Sequence, residues 1–166
     1  IQEQLMKLTQ SDFAASAPRA KDVTIFGRAV RVTFLTAAEV SAIEYARLRP
    51  QPPLIPHPAA KTAAEREELI PNYFDPRYKQ DVEKYRETVQ LGQFAAATGY
   101  QTADGRDFEA VRRSGDAAEL SAWLITVQNE LGSVITWDAV TVVLEAVKSL
   151  SGVGDAKGLE AAAKNS

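Results

Sequence analysis

The chain has 166 residues, of which 45% are hydrophobic and 25% charged, enough apolar material for one folded core and too much for a disordered chain. Its formal net charge of -3 provides no overall positive field for phosphates, so nucleic acid is not an expected partner. With no cysteine there is no disulfide framework, no thiolate nucleophile and no cysteine zinc site, which suits a reducing cytoplasm.

Apolar runs are broken every few residues by charge and fall short of the ~20 residues a bilayer requires, and residues 1–7 lack the basic-then-apolar order of a signal peptide. No membrane partner is expected. Leu5, Leu8 and Phe13, with Thr9 and Ser11 as caps, predict one or two short helical turns over 5–16. Val23, Ile25, Ala29, Val30, Val32 and Phe34 then form two β-branched runs joined at Gly27-Arg28, with Arg31 and Thr33 alternating between the apolar positions. This predicts a β-hairpin over 21–35. A lone hairpin is marginal in water, so one face must pack on helices or pair with another chain's strand.

Thr36 and Glu39 are spaced as a capping box, and Val40, Ile43 and Ala46 give the helix that follows an apolar face ending before Pro50. Five of the eight prolines fall in 50–58, which predicts extended, polyproline-like chain and excludes regular structure. Residues 59–70 are charged and alanine-rich, with Thr62 and Glu65 placed to cap a short exposed helix, so 50–71 reads as a mobile arm. Asp75-Pro76 opens the longest helix, in which Tyr78, Val82, Tyr85, Val89 and Phe94 recur at helical spacing until Gly99 stops it.

A polar turn around Gly105 precedes one helical turn at Phe108 and Val111. Asp116 with Glu119 opens a helix striped by Leu120, Trp123, Leu124, Val127 and Leu131 and ended by Gly132, and Thr136 caps a last helix striped by Val140, Val143, Leu144, Val147 and Leu150. The short connection predicts that these two helices are antiparallel neighbours in direct contact. The fold expected is mostly α: a helical bundle with a small N-terminal β-hairpin and a proline-rich mobile arm. An N-terminal segment (1–20) leads into one helical domain (21–152) holding the hairpin (21–35) and the arm (50–71), and a flexible tail (153–166) follows.

Little catalytic equipment is visible. The single histidine, His57, lies between two prolines without a held partner or a shaped pocket. Asp104-Gly105-Arg106-Asp107 lacks the further ligands and closing glutamate of a calcium loop, and no phosphate loop, nucleophile elbow or dinucleotide fingerprint occurs. Trp123 sits in an apolar stripe and reads as core. Trp137, in the first turn of its helix, is expected part-exposed, for local packing or for a partner, and Tyr73 and Phe74 can anchor the arm to the bundle or to another protein.

The order of elements carries a resemblance. Leu8-Thr9 followed by Asp12-Phe13, the hairpin ending in Arg31-Val32-Thr33-Phe34-Leu35-Thr36-Ala37-Ala38-Glu39, the proline-rich connection, Asn72-Tyr73-Phe74-Asp75-Pro76-Arg77-Tyr78 and the capped helices ending at Leu150-Ser151-Gly152 resemble tail assembly chaperones of long-tailed bacteriophages. The resemblance implies a protein of the host cytoplasm without enzymatic activity or cofactor. It would bind the aggregation-prone tape-measure protein while the tail tube forms, with the major tail tube protein as a further partner and self-association left open. It supplies no site residues. The partner-binding candidates come from surface chemistry alone: Val30, Val32 and Phe34 on the hairpin, Leu54 and Ile55 in the arm, and Trp137. A structural or adaptor protein of the particle, and a small hydrolase using carboxylates and a metal, are the alternatives.

Overall fold

The computed structural model describes Gln10 and residues 20–151; the helical turns expected over 5–16, Gln10 apart, and the tail expected over 153–166 lie outside the described residues. The described chain is mostly α. In order it forms β1 (Ala20–Ile25), β2 (Arg28–Thr33), α1 (Ala37–Tyr45), β3 (Leu54–Pro56), α2 (Ala63–Glu67), β4 (Leu69–Pro71), α3 (Pro76–Thr98), α4 (Phe108–Ser114), α5 (Ala117–Leu131) and α6 (Trp137–Leu150).

β1 and β2 pair antiparallel with Ile25 opposite Arg28, so the hairpin turn is Phe26-Gly27, one residue earlier than the sequence suggested. Both turn residues have positive φ, 51° and 71°. That is the backbone twist a two-residue hairpin loop favours, and it costs a side-chain-bearing residue such as Phe26 steric strain. One face of the hairpin carries Val23, Ile25, Val30 and Val32 inward; the other carries Asp22 opposite Arg31, ion-paired at 3.1 Å. The choice left open by the sequence is resolved: both strands pack on α6, and β2 also on α3.

Each helix start obeys a local rule. The Thr36 hydroxyl accepts from the Glu39 amide at 3.2 Å and the Glu39 carboxylate accepts from the Thr36 amide at 2.8 Å, the reciprocal pair of a capping box. The other Glu39 oxygen meets Arg112 at 3.1 Å, tying α1 to the end of α4. Asp75 and Thr136 cap α3 and α6 through the amides of Tyr78 and Ala139. Gly99 and Gly115, at φ near 68°, end α3 and α4.

The core gathers on the second half of α3. Its buried residues run from Thr88 to Ala97, whereas its first half is mostly exposed. At Gly92 two neighbours press closest: a β-carbon there would lie 2.5 Å from Leu124 Cδ1 and 2.8 Å from Ile43 Cγ2. The missing side chain therefore lets α1 and α5 sink against α3. Helices α5 and α6, expected to contact each other, instead each pack chiefly on α3, and α6 also covers the hairpin. Their apolar stripes are core as expected, with Leu124, Val127, Val140 and Val143 essentially fully buried. A stripe fixes which face is buried but not what covers it, and here α3 and, for α6, the hairpin supply the cover.

Trp123 is wholly buried against Phe108, ring centroids 5.5 Å apart, with its indole N–H unpartnered. The loop between α3 and α4 is fixed to α5 by Glu130, whose carboxylate accepts from the Tyr100 hydroxyl at 2.6 Å and from the Ala103 amide at 2.9 Å. Burial, and then this hydrogen bond, push the Tyr100 phenol up to about 12.

Two stability outcomes follow from these contacts. Gly92→Val should lower unfolding stability by about 1–3 kcal/mol, the range for forcing atoms into a packed core, as read by urea denaturation; an unchanged midpoint would show that Leu124 and Ile43 can retreat. Phe26→Asn should raise stability by about 1 kcal/mol, because Asn tolerates the left-handed region far better. The exposed Phe26 ring surrenders little packing in that exchange.

Candidate functional site

Two copies of the tripeptide Leu-Ile-Pro, at 54–56 and 69–71, meet as β3 and β4. They pair antiparallel about their centres, Ile55 opposite Ile70, Leu54 opposite Pro71 and Pro56 opposite Leu69. The expectation that this proline-rich stretch excludes regular structure is thus corrected: the arm is a small β-hairpin whose loop contains α2. Prolines fit because of the alternation of an antiparallel ladder. The Asn72 amide donates to the Pro53 carbonyl at 2.8 Å, which makes Ile55 and Ile70 the next hydrogen-bonded pair and turns the backbone of 54, 56, 69 and 71 outward. Pro56 and Pro71 therefore occupy positions where no ladder amide is needed.

The arm's loop is organised by its own caps. Thr62 and Glu65 form the capping box that the sequence indicated, and the Glu65 carboxylate accepts from the amides of Lys61 at 2.7 Å and Thr62 at 3.1 Å. These backbone donors, Lys61 first, hold the Glu65 carboxyl below its ordinary value. His57 accepts the Ala59 amide at Nδ1, 3.1 Å away, and so helps shape this turn.

The two faces of the arm differ. Ile55 and Ile70 are half-buried, and Ile70 lines a small recess with Ala60 and Glu65 of the loop. On the opposite face Leu54, Pro56, Leu69 and Pro71 are all exposed, with Leu54 at 60% and Leu69 at 51% of full accessibility. Beyond β4, Tyr73 and Phe74 remain exposed as well, Phe74 at 82%. Tyr73 meets the Tyr78 ring edge-on at 6.0 Å and Lys79 lies 5.5 Å over the Phe74 ring, so these aromatics root the arm on the first turns of α3. No principal contact joins β3 or β4 to an element of the bundle; their main partners are each other and α2.

The sequence-derived candidates separate on this geometry. Val32 is fully buried and Val30 packs against the same core, so their side chains face α3 and α6 and not a partner. Phe34 is half-buried at the wall of a cavity beside Leu35 and Phe108. Leu54 is an exposed apolar residue, whereas Ile55 turns to the arm's own loop. Trp137 is 45% exposed, on a surface apart from the arm. Leu69 was missed, and its signal was the second Leu-Ile-Pro.

Among the described residues no group of three or more His, Asp or Glu side chains is placed to hold a metal ion. No described helix is long and apolar enough to cross a membrane. Comparison of the chain with protein-family models, with curated proteins and with solved structures gives no match, so the meaning of this surface must be read from its own chemistry.

Because α2 is an exposed single turn held by one capping box, Thr62→Ala should loosen the arm locally while the bundle keeps its stability. Trypsin should cut after Lys61 and Arg66 several-fold faster, with the thermal midpoint unmoved. Acid should act alike. The folded-state carboxyl of Glu65 is depressed, so its contribution is complete above the ordinary glutamate range and is lost as pH falls through the lower folded value. Protection of the Lys61 and Thr62 amides in hydrogen exchange should fall over that acidic window; protection independent of pH would remove Glu65 from the cap.

Proposed function

We propose that this protein holds another protein chain, as a tail assembly chaperone of a long-tailed phage does, with the arm as its contact surface. The observation that carries the reading is the face made by Leu54, Pro56, Leu69 and Pro71, apolar, exposed and mounted on the free half of α3. A soluble domain has no internal use for such a face, and exposed apolar clusters on small domains commonly meet another protein. Tyr73 and Phe74 extend the same region with the residue type most enriched at interfaces.

The chemistry narrows the kind of contact. Strand addition to the arm's edges is disfavoured because Pro56 and Pro71 remove an outward amide from each strand. A client segment that lays apolar side chains across the face, as an amphipathic helix does, fits better. A tape-measure protein, long and rich in such helices, is the proposed client, with the major tail tube protein as a second partner and the host cytoplasm as the place of action.

The test is co-expression with the tape-measure protein of the same genome. The unaltered chain should raise the client's soluble fraction, and Leu54→Asp with Leu69→Asp should reduce that effect several-fold while circular dichroism stays unchanged. An undiminished effect would remove the arm from the contact. Failure of the unaltered chain to bind or solubilise any tail protein, together with its presence in purified particles, would replace the chaperone reading with that of a structural component.

A further inference from the structure

The register of β3 and β4 sets Ile55 opposite Ile70, with the same tripeptide, Leu-Ile-Pro, on both strands. An antiparallel ladder has a local two-fold axis, normal to the sheet, through the midpoint of each directly opposed pair. A half-turn about the axis at Ile55 and Ile70 carries Leu54 onto Leu69 and Pro56 onto Pro71, so backbone and sequence obey one symmetry. The exposed face of the arm is therefore a four-cornered patch, with leucines on one diagonal and prolines on the other. Leu54 and Leu69 keep similar accessibility, so the symmetry extends to what the patch presents. Its two rows, Leu54 with Pro71 and Pro56 with Leu69, lie two strand residues apart, roughly 6.7 Å. Side chains at i and i+4 of a helix are separated by a rise of about 6.0 Å, a close match.

We infer that the arm holds a client helix through apolar side chains at i and i+4 and accepts that helix in either direction. This rests on the reading of the arm as a contact surface and adds the polarity of what it holds. The half-turn that maps the patch onto itself also reverses a helix lying along the strands, so both orientations meet the same four side chains. Area selects a single helix over a folded second copy as the occupant. Four side chains cannot supply the roughly 800 Å² per partner of a stable interface between folded proteins, whereas a helix needs only one apolar stripe laid on them. Outside the ladder the symmetry ends, since Glu67 and Glu68 precede Leu69 where Pro52 and Pro53 precede Leu54. Those flanks lie beyond the patch and bias the two orientations without excluding either. A surface of this kind reads an apolar stripe and not a directional motif, which suits a long client whose successive helices run both ways.

The test uses the full chain and a synthetic five-turn amphipathic peptide with leucines at i, i+4, i+7 and i+11 on a polar helix-forming background. Because the sequence has no cysteine, Lys84→Cys at an exposed position of α3 takes one nitroxide, and the peptide carries the other at its N-terminus. Pulsed electron spin resonance should return two separations of comparable weight, and moving the peptide's label to its C-terminus should return the same two. Leu54→Asp and Leu69→Asp, made singly, should weaken peptide binding by similar factors, as residues exchanged by the axis must. One dominant separation, or single substitutions whose effects differ by an order of magnitude, would overturn the inference while leaving the arm as a contact surface. A peptide that does not bind, or binds indifferently to both substitutions, would overturn it as well. Client solubility that the double variant leaves undiminished is the separate result that removes the arm reading itself.

Discussion

The packing of this protein turns on a missing side chain. A β-carbon at Gly92 of α3 would lie 2.5 Å from Leu124 of α5 and 2.8 Å from Ile43 of α1, distances that leave it no room. A glycine within a helix costs about 1 kcal/mol relative to alanine, and here that cost is offset by the burial of two whole aliphatic side chains at one crossing. Because both neighbours close on this point, the core is concentrated along Thr88 to Ala97. The earlier turns of α3, which keep Tyr78, Val82 and Tyr85 only half-buried, are left to extend outward.

The position of the arm follows from that asymmetry. A 23-residue helix is about 34 Å long at 1.5 Å per residue, so a core gathered on its second half places Pro76 well away from the bundle's centre. The chain leaves α1 at its C-cap, passes Pro50 beside Tyr78, Val82 and Tyr85 of α3, and makes the arm before α3 begins. Tyr85 fixes this approach by donating its hydroxyl to the Glu44 carbonyl at 2.7 Å. The arm is therefore held at its root and independent at its tip, and two three-residue strands with one capped turn supply all its order. Such a unit is close to the minimum that can hold its shape in water.

How much of this could be read from the sequence depended on the range of the interaction. The caps at Thr36, Thr62, Asp75 and Thr136 span three residues each, and all four were legible because donor and acceptor are fixed by local spacing. The stripes on α5 and α6 were legible as core, but not their partner, since a stripe says which face is buried and not what covers it. The β3–β4 ladder joins residues 15 apart at its centre and was hidden by composition: a count of prolines argues against a strand, while their placement at 56 and 71 permits one. The repeated Leu-Ile-Pro was the available sign, since identical short segments pair symmetrically when the chain reverses between them. Leu69 was overlooked for the same reason, and which of Leu54 and Ile55 faces outward was not legible, because the side of a strand is settled only once its partner is known.

The same reasoning separates surface from core among residues of one type. Val32 and Leu54 are both aliphatic, both in short strands and both within hairpins, and sequence gave them equal standing as contact residues. What distinguishes them is the covering element. β2 lies under α3 and α6, so Val32 is spent on the chain's own stability, whereas no principal contact joins β3 to a bundle helix, so Leu54 keeps most of its accessibility. Retaining Leu54, Leu69 and two prolines on one uncovered face has a solubility cost for a chain with a net charge of only -3. The prolines limit that cost by blunting edge-to-edge pairing while leaving the face itself open. Strand addition to the arm is disfavoured while its side-chain face stays open, and the proposed holding of a helical client rests on that combination.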